Sequence, residues 1–184
     1  MSRHLIARER LFTGNIFEVE RDRLREESGL EIIRDVVRHP GGAGGLPLFA
    51  DRSVALVRQY RHPAGRELLE IPAGRIELGE TPEECAQREI EAEIGVRAGR
   101  LTKLTDFFST PGFCEERLYV YLATDLAPTQ QDLDPDEVVE IVRLPLDDAL
   151  RMVRRGEIED AKTIIALLLS AEYNPAAHAE SRDQ

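Results

Sequence analysis

Tryptophan is absent from this chain, cysteine and methionine appear twice each, and aromatic residues make up 5% of its 184 positions. Two cysteines, Cys85 and Cys114, cannot build a disulfide framework, so the fold must rest on an apolar core with each thiol a small buried or half-buried side chain. Long apolar runs are missing too. None approaches the ~20 residues of a membrane span, and the opening Met-Ser-Arg-His-Leu-Ile-Ala-Arg-Glu-Arg has no secretory character, which points to a cytoplasmic protein without a membrane partner. Positive charge is scarce: 24 Lys and Arg against 35 Asp and Glu leave a net charge of −11. Such a surface repels a polyanion and argues against a nucleic-acid partner, while a small anionic substrate stays accessible if divalent metal carries it.

What is present suffices for one domain with a real core, since 42% of residues are hydrophobic. Three strands are expected over 5–13, 16–25 and 30–38, separated by the turns Thr13-Gly14-Asn15 and Glu27-Ser28-Gly29. Their apolar side is too modest to stand alone, so this small antiparallel sheet should pack on something, a second copy of the chain being one candidate. The run His39-Pro40-Gly41-Gly42-Ala43-Gly44-Gly45 reads as a linker. A phosphate cradle is the weaker reading, because neither Lys-Ser/Thr nor a helix follows. A hairpin is expected from Leu46–Ala50 and Val54–Tyr60, then a stretch from Arg58 to Gly74 carrying Arg58, Arg61, Arg66 and Glu70. Later strands are expected over 101–108, 118–123 and 138–144, an acidic loop from Asp125 to Glu137, and helices over 146–155 and 160–173. The tail, 174–184, is polar.

The most informative stretch runs from Gly74 to Val96. Thr81 is a good N-cap, Pro82 suits the first helical position, Glu84 completes a capping box and Gly95 ends the helix. At about 100° per residue, Ala86, Ile90 and Ile94 share one face, with Cys85 at its edge. Glu89 and Glu93 project inside that same arc. Two carboxylates aimed at an interior need a partner, either a buried arginine or a metal ion.

With Gly74, Glu80, Arg88, Glu89, Ile90, Glu93, Gly95 and Val96, the stretch matches eight of the nine fixed positions of the Nudix box, and it resembles Nudix hydrolases. The ninth departs: Ala92 stands where the family has the first Glu of a Glu-Glu pair. Glu70-Ile71-Pro72-Ala73-Gly74, Pro111, and Asp160-Ala161-Lys162-Thr163 look like the branch of ADP-ribose pyrophosphatases and nucleoside diphosphate sugar hydrolases.

The resemblance implies an α/β (α+β) fold, the Nudix α/β/α sandwich with a mixed sheet plus a small N-terminal antiparallel sheet. It divides the chain into an N-terminal β subdomain (1–40) for dimerisation and substrate contact, a hydrolase domain (41–173) and the tail. It further implies a homodimer and hydrolysis of ADP-ribose to AMP and ribose 5-phosphate with Mg²⁺ or Mn²⁺, slowed by Ala92. Metal ligands would be Glu89, Glu93, the Ala73 carbonyl and Glu137. Glu80 and Arg88 would brace loop on helix. Glu137, or failing it Glu140, would be the general base, and Arg61, Arg58, Glu70 and Glu116 would contact substrate. Two alternatives stay open: another nucleoside diphosphate sugar as substrate, or a module that holds nucleotide without cutting it.

Overall fold

The computed structural model describes residues 3–133, 138–171 and 173. Strands β1 (Arg3–Thr13), β2 (Glu18–Glu26) and β3 (Glu31–Arg38) form an antiparallel sheet in that order. Charge holds it together. Arg8 pairs with Asp22 at 2.7 Å and Arg21 with Asp35 at 2.8 Å, while Arg38 joins both Glu20 and Asp22 at 2.7 Å. Beneath those guanidinium groups Glu20 and Asp22 are buried, whereas no residue of β1 is.

Next come β4 (Gly42–Pro47), β5 (Ser53–Arg61), β6 (Arg66–Glu70), β7 (Ala73–Arg75), α1 (Pro82–Ile94), β8 (Val96–Phe108), β9 (Arg117–Pro128), β10 (Val139–Pro145), α2 (Leu146–Arg155) and α3 (Ala161–Ser170). A four-stranded mixed sheet has the order β7-β4-β9-β8, with β4 and β9 parallel; a three-stranded antiparallel sheet has the order β10-β5-β6. Successive strand residues point to opposite faces, and this alternation sorts the core. Val54, Leu56, Val120 and Leu122 join Leu46 under Leu146, Ala149, Ala166 and Leu167 of α2 and α3. On the other side Tyr121 meets Cys85 and Ala86, and Ala55 and Val57 meet Ile94, all from α1. Helices thus cover both faces, giving the expected α/β/α arrangement. Each fully buried Leu or Ile in this core stabilises by roughly 1.5–3 kcal/mol.

The structure corrects several sequence-based expectations. The glycine run is not a linker: Gly42–Pro47 is a buried strand inside the mixed sheet. Its glycines are there for close approach, because a Cβ on Gly44 would lie 2.5 Å from the Ala73 Cβ, and one on Gly45 2.6 Å from the Ile90 Cδ1. Nor does residue 46–50 pair along 54–60 as a hairpin. Only an isolated Leu48–Val54 bridge forms, since β7 and β9 already occupy the edges of β4. Two short strands, β6 and β7, lie in the stretch to which no element was assigned, and Asp125–Pro128 continues β9 rather than opening the acidic loop. α3 stops at Ser170.

Candidate active site

Helix α1 begins as its sequence dictates. The Glu84 N–H donates to Thr81 Oγ1 at 3.2 Å, the Thr81 N–H donates to Glu84 at 2.8 Å, and Gly95 closes the helix at φ 70°. This fixes the rotation of the helix about its axis, and with it the direction of the acids. Glu89 is 8% exposed and Glu93 3%. Glu89 lies so close to the loop before the helix that a Cβ on Gly74 would fall 1.8 Å from its Oε1. Any side chain at position 74 would expel that carboxylate, which is the physical reason for glycine there.

Arg88 fastens the loop to the helix. Its Nε and Nη2 donate to Glu80 at 2.8 and 3.0 Å, Nη2 also reaches the Arg75 carbonyl at 3.2 Å, and Nη1 donates to Glu89 at 2.6 Å. The hydrogen bond to Glu80 is the first cause of a raised Arg88 pKa, so the group is a fixed cation. Cys85, beneath the same loop, has its thiol pushed up to about 12 by burial, and it stays protonated and unreactive.

On the other flank, Arg61 donates through Nε and Nη2 to Glu70 at 2.7 and 2.9 Å. That bond, against burial, raises the Arg61 pKa, and the charges of Glu93 and Asp160 act in the same direction. Lys162 donates to the second Glu70 oxygen and, at 3.0 Å, to Asp160. Glu70, 2% exposed, is therefore saturated by protein cations, which places it beneath the site rather than open to a ligand.

The remaining predicted residues are dispersed. Arg58 and Glu140 face each other across β5 and β10 as an exposed 3.1 Å ion pair. Glu116 lies 3.5 Å from His39 Nδ1, which accepts the Gly41 N–H at 3.0 Å. Glu137 lies outside the described residues, which carry the box-helix contacts only as far as Gln131 and Asp132. The Gln131 side chain donates to the Glu93 carbonyl at 2.8 Å, and the Asp132 N–H to the Ala92 carbonyl at 3.1 Å. Ala92 itself lines a cavity of about 1000 Å³ with Glu84, Arg88, Glu89 and Asp132.

The geometry thus presses Gly74 on Glu89, with Glu80–Arg88 bracing the loop on one side and Arg61–Glu70 on the other, where the Glu93 charge acts on Arg61. Sequence reasoning missed the part of Lys162 and Asp160 in this bracing. The Asp160-x-x-Thr163 spacing, an N-cap signal, and the resemblance of Asp160-Ala161-Lys162-Thr163 to the pyrophosphatase branch were the available hints.

The NUDIX domain family matches residues 38–167. The chain belongs to the Nudix family. Within it, the chain is 39% identical over 164 residues to an ADP-ribose pyrophosphatase of Bacillus subtilis (strain 168), covering 88% of this chain and 89% of that protein. It is 36% identical over 155 residues to a GDP-mannose pyrophosphatase of Yersinia pestis (strain Pestoides F), covering 77% and 76%. The solved structure described as "Crystal structure of ADP compounds hydrolase" shares the Nudix fold, with a TM-score of 0.82 over 99% of this chain and 97% of that one, at 23% identity. Among the described residues of this Nudix protein, no helix is long and apolar enough to cross a membrane.

The Glu70 network yields a prediction about acid. Burial pushes this carboxyl up, but hydrogen bonds and charge from Arg61 and Lys162 outweigh it and leave the group at about 2 instead of 4.5. Because the folded value lies below the unfolded one, the stabilisation is fully present above about 4.5 and is lost as pH falls towards 2. Urea unfolding followed across that window should show wild type losing stability more steeply than Glu70→Gln. Parallel profiles for the two proteins would contradict the assignment.

Proposed function

We propose that this Nudix pyrophosphatase hydrolyses ADP-ribose to AMP and ribose 5-phosphate, using Mg²⁺ or Mn²⁺ held by Glu89, Glu93 and the Ala73 carbonyl. The observation that carries this reading is the burial of Glu89 and Glu93, one helical turn apart, with Glu89 pressed on the Gly74 backbone. Among the described residues no three His, Cys, Asp or Glu side chains form a cage. That suits a hard cation which takes one or two carboxylates and fills its other positions with water and substrate phosphate. When bound, the cation neutralises charge on the diphosphate oxygens and acidifies water.

The protein's own groups do the rest. Arg61, oriented by Glu70, presents a fixed cation beside Glu93, suited to bidentate phosphate contact. Glu137 follows the segment docked on Ala92 and Glu93, and we assign it the role of general base or further metal ligand, with Glu140 second because Arg58 already pairs with it. A GDP-mannose pyrophosphatase among the relatives favours a second reading, that another nucleoside diphosphate sugar is the substrate.

A panel of nucleoside diphosphate sugars incubated with Mg²⁺ and with Mn²⁺ tests both. The leading reading expects ADP-ribose to have the highest kcat/KM and AMP to be released. Preference for a guanosine or uridine sugar would move the assignment to the second, and no turnover with any of them would leave only a nucleotide-holding module.

We assign the N-terminal β subdomain to dimerisation. Leu5, Ile6, Leu11 and Phe12 of β1 are all exposed, as are Ile16 and Phe17 in the following turn and Ile33 on β3. A three-stranded sheet with so much open apolar surface calls for a cover. Light scattering should return about twice the 20.7 kDa chain mass. A monomer at micromolar concentration would defeat the assignment, as would a dimer that survives deletion of residues 1–38.

A further inference from the structure

The motif Asp160-Ala161-Lys162-Thr163 has no part in the chemistry described so far, yet two of its side chains, Lys162 and Thr163, reach the loop that enters the box, and Asp160 holds both of them. Thr163, fully buried, accepts the Ile71 N–H at 2.7 Å and donates its own proton to Asp160 Oδ2 at 2.6 Å. Asp160 also caps the helix, accepting the Thr163 N–H at 2.9 Å, and its other oxygen holds Lys162, which holds Glu70. Each residue from Glu70 to Gly74 is therefore anchored by a different neighbour. Glu70 is held by Arg61 and Lys162, Ile71 by Thr163, the Pro72 carbonyl by the Gly45 N–H at 3.1 Å, and Ala73 and Gly74 by pairing with Gly44 and Ala43. Proline at 72 removes one further freedom, since its φ is fixed by the ring.

We propose that Asp160, Lys162 and Thr163 are positioning residues that aim the Ala73 carbonyl at the Glu89–Glu93 pair. This rests on the reading of those groups as the metal holders. Stability alone is a poor explanation of the cluster, because buried charged groups are costly to desolvate and well-packed apolar replacements are often as stable. What apolar side chains cannot do is fix the direction of the Ile71 N–H and, two residues later, the Ala73 carbonyl. Partners that orient a metal ligand without touching the ion typically change affinity 10- to 100-fold when removed.

The test is Mn²⁺ titration of the full chain, with free ion counted by electron paramagnetic resonance. It compares wild type, Thr163→Val, Thr163→Ser and Lys162→Met, with Glu89→Gln as the metal control. Thr163→Val and Lys162→Met should weaken Mn²⁺ binding on the order of 10–100-fold and lower kcat with little change in KM for ADP-ribose, while Thr163→Ser, which keeps the hydroxyl, restores both. Folding is verified by circular dichroism with chelator present, and if Thr163→Val does not fold, Lys162→Met decides. Unchanged Mn²⁺ affinity in the folded variants, with Glu89→Gln weakened, overturns the positioning role alone. Unchanged affinity in Glu89→Gln overturns the metal reading beneath it.

Discussion

Glu93→Gln should lower kcat on the order of 10²–10³-fold, comparable to removing one oriented charge-stabilising group. The substitution keeps the shape of a side chain that is 3% exposed, so the packing around it is retained. It also removes one of two negative charges a turn apart on the helix, which favours folding slightly. The loss is therefore one of charge at the site. Arg61, whose cation is favoured by the Glu93 carboxylate, would face a neutral amide, and divalent cation would lose one of its two side-chain ligands. Steady-state rates at saturating ADP-ribose and Mg²⁺ check this, with unfolding curves to show the fold intact. A rate within about threefold of wild type, below 1 kcal/mol in barrier height, would mean that Glu93 is a structural carboxylate.

Ala92→Glu should act in the opposite direction and raise turnover on the order of 10²-fold. Position 92 is half-buried on the cavity it shares with Glu89 and Asp132, so a longer side chain has space. Beyond the helix, its backbone carbonyl accepts the Asp132 N–H, and that bond survives any side-chain change. Alanine is the best helix former, so the new residue costs at most about 0.7 kcal/mol in propensity. Against that small cost stands a third carboxylate beside Glu89 and Glu93, which raises the negative potential where cation must bind. Turnover of both forms at saturating Mg²⁺ decides. Equal rates would show that position 92 is dispensable, leaving no reason to regard this chain as slowed.

The box helix was readable because every local signal agreed: the cap at Thr81, the stop at Gly95, and acids inside an apolar arc. The N-terminal strands were readable for the same reason, since turn residues bound them on both sides. Gly42–Pro47 was not. A strand in which three of six residues are glycine carries no alternation to read, and what makes it a strand is the arrival of Ala73–Arg75 and Arg117–Pro128 at its edges, a property of the whole fold. Close approach of Ile90 and Ala73 then demands the glycines that sequence alone assigns to a linker.

The same limit governed the site. Glu89 and Glu93 declared themselves through periodicity, but Glu70 looked available to substrate because nothing in its own neighbourhood showed Lys162, 92 residues away, arriving to neutralise it. Arg58 and Glu140 likewise satisfy each other across 82 residues of sequence. Charges close in sequence to the box were easy to assign a ligand. Charges that find a protein partner over long range could be assigned only once that partner was in view.

Glu89 and Glu93, two buried carboxylates on one helix, are proposed to hold metal even though Arg88 already pairs with Glu89. Calorimetric titration of Mn²⁺ into the full-length protein, wild type beside Glu89→Gln and Glu93→Gln, tests it most directly, because binding is read without reference to any substrate. We predict saturable binding to wild type and, in each variant, a loss of affinity large enough to abolish the signal at the same concentrations. Isotherms in the two variants that superimpose on wild type would contradict the claim.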